Sequence, residues 1–489
     1  MNYRMIVYLL GYVLLLIGAF LLLPIIVALI YADGGLLSLA ATAVICAGLG
    51  GLMMLCKPKQ NRAMHARDGF VMVSLSWILI SLLGALPFYL HGSIPSYLDA
   101  VFETTSGFTT TGASILRDVE IIPHGLLFWR SFTHWLGGMG VLVFMLAVVP
   151  MSGESIYLLK AESPGPSVGK MVPKMRTSAM ILYCIYFAMT VLQILAYQLG
   201  NLFGWGDISF FDSVCLAFGS AGTGGFSVRN SGLADYSVYV QSVTTVGMIM
   251  FGINFSIYFF LICRKFKLIW KNSELKCYLG IILVSVTIIT TNLMLTGGYF
   301  DKIGDAIHHV FFSVGSVITT TGYGTEDFSH WPELSKAILM FLMMVGACAG
   351  STGGGIKVSR LLILVKSARA ELRHLIHPHS VEVITMDGKR ISRDVIQGTS
   401  AFLVFYILIA LLSMFLVALD GKGTETTLSA VLATLNNIGP GTSVLIGPKG
   451  NYADFSALSK IVLTLDMLLG RLEIFPLLLL FRPSTWRKH

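Results

Sequence analysis

The stretch Thr319-Thr320-Thr321-Gly322-Tyr323-Gly324 decides how the rest of this 489-residue chain is read. It follows the amphiphilic segment HVFFSVGSVI and precedes a long apolar run. Three other stretches stand in the same setting: Thr109-Thr110-Thr111-Gly112-Ala113, Gly222-Thr223-Gly224-Gly225-Phe226 and Asn436-Asn437-Ile438-Gly439-Pro440. From Gly112 to Gly225, Gly322 and Gly439 the successive separations are 113, 97 and 117 residues. A single unit is therefore repeated four times.

Each unit has the order apolar helix, shorter amphiphilic segment, Thr/Gly turn, apolar helix. The units span 69–150, 177–263, 277–365 and 396–481; a helix pair within 1–56 precedes them and a loop at 366–395 separates the last two. In the first two units an aspartate, Asp99 or Asp212, stands thirteen residues ahead of the glycine. The acidic start is lost at the matching positions of the last two.

Composition places these units in a membrane. Hydrophobic residues make up 55% of the chain and charged ones 12%, with a mean hydropathy of +0.76, a balance foreign to a water-soluble core. Ten apolar runs of roughly 20 residues predict ten helical crossings of ~30 Å of hydrocarbon. The first run has no small-residue cleavage site before Asp33 and exceeds a signal h-region, so it is expected to remain as a membrane helix. Seven cysteines without metal-ligand spacing read as small packing residues.

The net charge of +8 raises the question of nucleic acid, and the placement of the basic residues answers it. With the N-terminus inside, the cytoplasmic segments carry 25 of the 34 Lys and Arg, the external ones seven, and Arg130 and Arg471 lie within helices. This is the positive-inside pattern, with both termini cytoplasmic.

The amphiphilic segments are too short to cross, yet their flanks require the chain to enter and leave on the external side. They read as re-entrant half-helices. Irregular backbone is tolerated at membrane depth only where protein or a water-filled cavity satisfies it, so four such turns imply one shared cavity. The C-terminal ends of the half-helices, each with roughly half a negative charge, favour cations there. Thr319–Gly324 also matches the carbonyl-lined turn with which potassium channels replace an ion's hydration shell.

These residues closely resemble the Trk, Ktr and HKT superfamily of potassium transporters, and within it the TrkH/TrkG-type membrane subunit of bacteria. The likeness covers essentially the whole chain. It includes the N-terminal helix pair, WLGGMG at Trp135–Gly140, GACAGSTGGGIKVSR at Gly346–Arg360, NNIGPG at Asn436–Gly441 and GRLEIF at Gly470–Phe475. It implies an all-α polytopic fold of four pseudo-symmetric repeats around an ion pathway.

The resemblance maps one filter glycine per repeat onto Gly112, Gly225, Gly322 and Gly439. It gives Thr110, Thr111, Thr223, Gly224, Thr320, Thr321, Asn437 and Ile438 as the carbonyl ligands of potassium. Family members with serine at the first glycine tend to favour sodium, so Gly112 argues for potassium. It further implies a homodimer, docked to a separate TrkA-like cytoplasmic subunit with nucleotide-binding regulatory domains, in the bacterial inner membrane. The basic loops at Lys160–Arg176 and Lys366–Arg393 are the expected docking surface. Two departures from a fourfold-symmetric filter, a single Gly-Tyr-Gly and Asn437 in place of threonine, keep a sodium-permeable or sodium-coupled transporter of the same fold as the alternative.

The run Gly346 to Gly355 holds five glycines, Gly346, Gly350, Gly353, Gly354 and Gly355, together with Ser351 and Thr352. At ~1 kcal/mol per glycine relative to alanine, a continuous helix is disfavoured there. A loop inside the membrane is expected, and the resembling family uses it as a gate; a kink for close helix packing is the other reading. The run does not fit GxxxxGK[ST], because Ile356 separates Gly355 from Lys357, which sets nucleotide binding by this chain aside.

Arg471, in the last crossing, needs a partner because an unpaired charge there costs at least ~2.5 kcal/mol. It is expected to donate to carbonyls of the glycine loop or to pair with Asp466 or Glu473, and to count with the gate residues. Lys357 is expected to snorkel to the interface, and Glu103, Arg130, His134, His308 and His309 read as structural. His374, His377 and His379 read as solvated loop residues. No catalytic motif or cofactor site is present in the sequence, and the same-direction repeats argue against an inverted-repeat carrier of organic solutes.

Overall fold

In the computed structural model, residues 3–57, 66–140, 175–379 and 383–486 are described. They form an almost wholly helical chain with one two-stranded hairpin, Thr385–Met386 against Lys389–Arg390. Among the described residues six helices are long and apolar enough to cross a membrane: Tyr3–Tyr31, Leu36–Met54, Arg67–His91, Thr177–Leu202, Ser273–Thr296 and Arg393–Ala418. Their outward faces keep large apolar residues exposed, such as Leu195, Leu283, Leu412 and Phe415. Helices apolar on both sides belong in lipid. Of the seven cysteines, Cys46, Cys215 and Cys348 are buried, but Cys56, Cys184 and Cys263 are exposed, so the packing reading fails for those three.

The first two helices pack closely. A Cβ on Gly11 would lie 2.8 Å from the Gly50 carbonyl oxygen, and one on Gly50 would lie 2.9 Å from that of Gly11; only small residues let two helices approach this far. The pair is continuous with the apolar cluster of the first and fourth repeats, which includes Trp77, Phe102, Phe108, Trp129 and Leu463.

The four half-helices are Tyr97–Phe108, Phe210–Gly222, Ile303–Ile318 and Thr424–Leu435. With 12 to 16 residues each, they extend about 18 to 24 Å and cannot span the hydrocarbon. Asp99 and Asp212 earn their positions as third residues after the caps Ser96 and Ser209, whose side chains accept their backbone N–H groups. At the matching positions of the last two half-helices stand His309 and Thr426, as the spacing reads, but their first turns still carry an acid, Asp305 and Glu425.

The second helix of a repeat is nowhere a single unbroken rod among the fully described repeats, whereas the glycine count predicts a break only in the third. Val238–Phe251 meets Phe255–Ile262 at 92°. Glu333–Val345 is separated from Val358–Ile376 by the glycine loop. Ala457–Arg471 gives way to Phe475–Phe481 through Glu473 and Ile474, both at positive φ. In the first repeat His124–Gly138 ends before residues 141–174, which lie outside the described residues together with most of the 160–176 loop. Among the described residues the expected crossings are met by six single helices, one bent pair and, in the third and fourth repeats, composites of shorter pieces, while the crossing expected at 124–150 lies partly outside them.

Candidate ion pathway

Each half-helix ends in the same way. Thr110, Thr223, Thr320 and Asn437 adopt left-handed φ of 54 to 58°, and the next residue's N–H bonds back five positions: Thr111 to Ser106, Gly224 to Gly219, Thr321 to Ser316 and Ile438 to Ala433, at 2.8 to 2.9 Å. This is a Schellman ending with a non-glycine residue at the left-handed position. Strain of this kind persists only where the surroundings over-determine it. Here the surroundings include hydroxyl pairs, Thr109 to Thr111 at 2.8 Å and Thr319 to Thr321 at 2.7 Å. Asn437 Nδ2 donates to Thr111 Oγ1 and to the Met467 carbonyl, joining the fourth turn to the first.

The four glycines that follow, Gly112, Gly225, Gly322 and Gly439, have φ of 78 to 94° and close a ring. Where Gly112 lacks a Cβ, the carbonyl oxygen of Gly224 approaches to 2.0 Å; Thr321 O stands in the same way to Gly225, Ile438 O to Gly322, and Thr111 O to Gly439 at 2.6 Å. Repeat one touches two, two touches three, three touches four, and four returns to one. A side chain at any of these positions collides with the carbonyl before the next glycine.

On one side of the ring lies a cavity of about 220 Å³ lined by all four glycines, Tyr323, Tyr452 and the loops that follow the turns. Tyr452 Oη donates to the Gly439 carbonyl at 2.7 Å, and Tyr323 Oη reaches the carbonyls of Leu216 and Phe226. His134 bridges the first two turns: Phe226 N–H donates to Nε2, so Nδ1 carries the proton and donates to Gly107 O at 2.8 Å. Buried Glu103 accepts from Arg130 at 2.7 Å and from Ile115 N–H, while Arg130 donates to Ser227 O. This ion pair holds the outgoing strand of the first turn against the second repeat.

Three further staples occupy equivalent places. Gln241, Lys336 and Lys460 each stand four residues after the cap of a second helix, Ser237, Pro332 and Ser456. Each reaches the half-helix of the next repeat: Gln241 to His308 at 2.8 Å, Lys336 to Glu425 at 3.2 Å and Lys460 to Asp99 at 2.8 Å. In the first repeat the position is the apolar Leu127. Nothing in the sequence alone points to this girdle, since its residue types differ from repeat to repeat.

On the other side of the ring lies the glycine loop. Gly354 N–H donates to Thr320 Oγ1 at 2.7 Å, and a Cβ on Gly353 would fall 2.8 Å from Thr319 O. The loop also zips onto the break of the second repeat, with Cys348 N–H to Gly252 O, Phe255 N–H to Gly350 O, and Thr352 Oγ1 to Phe251 O. Ser351 Oγ donates to the Cys348 carbonyl, and Gly346 and Gly355 take the positive φ that folding the run back on itself requires.

Arg471 spans this space. Its guanidinium donates to Thr352 O at 2.9 Å, Gly138 O at 2.7 Å, Gly137 O, and Thr110 Oγ1 at 3.3 Å. Of the partners expected from the sequence, the loop carbonyl is found. Of the two acids, Glu473 makes its ion pair with Arg360, and Asp466 accepts from Ser413 at 2.7 Å. Lys357 does not snorkel; it is buried, with Nζ bonded to the Gly353 carbonyl. Among the described residues no group of three or more His, Cys, Asp or Glu forms a metal-binding cluster, and His374, His377 and His379 are exposed.

Four half-helices converging on a closed glycine–carbonyl ring, between a cavity and a glycine-rich loop and framed by long apolar helices, define a multi-pass membrane protein built of four repeats. The chain belongs to the family described as "TrkH: Cation transport protein", which matches residues 38–488. It is 33% identical over the full length of both chains to "Trk system potassium uptake protein TrkH" of Salmonella typhimurium. To "Trk system potassium uptake protein TrkG" of Escherichia coli it is 31% identical, with 99% of each chain covered. The crystal structure of "the Potassium Transporter TrkH from Vibrio parahaemolyticus" superposes with a TM-score of 0.89 at 31% identity, covering all of both chains.

Proposed function

We propose that this chain takes up potassium ions across the bacterial cytoplasmic membrane through the ring of Gly112, Gly225, Gly322 and Gly439, and that the loop Gly346–Gly355 with Arg471 is its gate. The observation that carries the reading is the closed ring, in which each glycine leaves room for the carbonyl before the next. Backbone carbonyls replace an ion's hydration shell without a titrating group, and four half-helix C-termini add negative potential at the same place. Relatives named as potassium uptake proteins support the choice of ion.

In the closed state the loop fills the space beneath the ring, and the fixed charge of Arg471 opposes a cation there. Opening requires the loop to leave Thr320 and Arg471 to exchange its carbonyl partners. A homodimer docked to a cytoplasmic nucleotide-binding regulatory subunit would drive that exchange. Exposed Arg369, Arg373, Lys389, Arg390 and Arg393 supply a basic face for such a subunit. Both termini lie in the cytoplasm in this reading. The loss of fourfold symmetry at Asn437 favours a filter that admits some sodium, which is the second reading.

The test is growth of bacterial cells stripped of their own potassium uptake, with the chain expressed beside its regulatory subunit. Growth at limiting potassium, abolished by a bulky substitution at Gly322, is the expected result. No rescue from protein that reaches the membrane would overturn the proposal.

A further inference from the structure

The glycine loop is held on its far side by a carboxylate from another helix. Glu274 is the second residue of Ser273–Thr296 and is 2% exposed. Its Oε1 accepts the Ala349 N–H of the loop at 2.6 Å and the Ser359 N–H, in the first turn of Val358–Ile376, at 3.1 Å. A single oxygen therefore ties the loop to the helix that resumes after it. Hydrogen bonds to an ionised group are the strong ones, and a buried N–H left without its acceptor is costly, so the loop cannot swing away without giving up the Ala349 bond, while the Ser359 bond holds the helix that follows.

The residue before Glu274 is bound from the cytoplasm. Ser273 N–H, one of the orphan donors at that helix start, donates to Asp387 Oδ1 at 2.7 Å. Asp387 and Gly388, at φ 54° and 77°, make the two-residue turn of the hairpin. Lys366 Nζ donates to the Thr385 carbonyl at 2.8 Å and lays the hairpin along Val358–Ile376. Hairpin, Ser273, Glu274 and Ala349 thus form an unbroken series of bonded neighbours from the cytoplasmic surface to the loop.

We propose that Glu274 is the latch that positions the gating loop, and that the 385–390 hairpin is the cytoplasmic handle through which the latch is moved. The inference rests on the reading of the loop as gate. Displacing the hairpin shifts the start of Ser273–Thr296, draws Oε1 from Ala349 and Ser359, and frees the loop from below. Nothing in the sequence marks Glu274 apart from other acids near a helix start.

The loop carries its own reporter, since Cys348 lies in it fully buried. With Cys56, Cys184, Cys263 and Cys277 replaced by serine, the reaction of full-length protein in proteoliposomes with a membrane-impermeant maleimide from the cytoplasmic side reads loop release. Rubidium flux is measured in parallel. Glu274→Ala is expected to speed Cys348 labelling and raise flux about tenfold or more, the effect of losing roughly one charge-assisted bond. Glu274→Gln, which keeps an oxygen acceptor but loses the charge, should lie between Glu274→Ala and the parent. Asp387→Ala, at an exposed turn that cannot unfold the core, should act in the same direction by a smaller factor and add nothing to Glu274→Ala. Labelling at the parental rate in a well-folded Glu274→Ala protein overturns the latch. Parental labelling in Asp387→Ala, or effects that multiply independently, overturns the handle. If Glu274→Ala releases Cys348 while neither it nor a shortened loop changes flux, the latch stands and the gate reading fails. If the shortened loop alone raises flux, the gate stands and the latch fails.

Discussion

Replacing Gly112 with serine perturbs the ring in a way its geometry quantifies. The added Cβ falls 2.0 Å from the Gly224 oxygen against the 3.4 Å where ordinary contact begins, a shortfall of 1.4 Å. The φ of 79° adds backbone strain of roughly 1–2 kcal/mol for any side-chain-bearing residue. Both are relieved by pushing the Gly224 carbonyl outward, which on the proposed filter displaces an ion ligand. Preference for potassium over sodium should therefore fall about tenfold or more, the equivalent of ~1.4 kcal/mol. The same shortfall applies at Gly225 and Gly322, but at Gly439 the contact is 2.6 Å and the shortfall only 0.8 Å. Serine at Gly439 should accordingly be the mildest of the four. Gly92, with φ 82° and nothing within 4 Å of its Cβ position, supplies a control with the strain and without the collision. The assay is the ratio of rubidium to sodium flux in proteoliposomes. An unchanged ratio in the Gly112 variant, or greater damage at Gly439 than at the other three, refutes the reasoning.

Arg471→Gln removes a fixed charge and most of a fan of carbonyl bonds, so basal rubidium flux should rise while Arg471→Lys lies between it and the parent; equal flux in all three proteins excludes a gating role. Thr320→Val keeps the shape but leaves the Gly354 N–H without its acceptor, at about 1–3 kcal/mol, and should raise flux without changing ion preference. Breaking the largely buried Lys460–Asp99 pair with Lys460→Met should cost roughly 3 kcal/mol and be restored in part by exchanging the two residues. The same change at Lys336, whose partner Glu425 is 47% exposed, should cost no more than about 1 kcal/mol; thermal unfolding in detergent ranks the two. Glu103→Gln leaves Arg130 buried without its anion and should lower the unfolding temperature by more than either lysine substitution.

The four turns and the membrane class are legible in the sequence because both rest on local chemistry. A left-handed residue two positions before a positive-φ glycine leaves a Thr/Gly signature, and apolar runs declare themselves by length. The helix breaks are less legible. Glycine content marks the loop after Val345, yet the turn at Glu473 and Ile474 uses two residues disfavoured at positive φ and is held by the pairing of Glu473 with Arg360, a contact 113 residues apart. The sequence points Lys357 toward the interface, and the carbonyl that captures it instead belongs to a folded-back loop whose path no periodicity predicts. The same holds for Arg471, whose nearest acids in sequence prove to be bound to Arg360 and Ser413. The girdle of Gln241, Lys336 and Lys460 emerges only when the repeats are superposed in space, since each staple crosses to a different repeat.

On this reading the ring alone selects among cations. Purified chain reconstituted without any partner, under a negative internal potential, gives the most direct test by comparing potassium, rubidium, sodium and lithium influx. The Arg471→Gln form serves if the parent is closed. Flux of potassium and rubidium well above that of sodium and lithium is the predicted result. Equal flux of all four ions contradicts it.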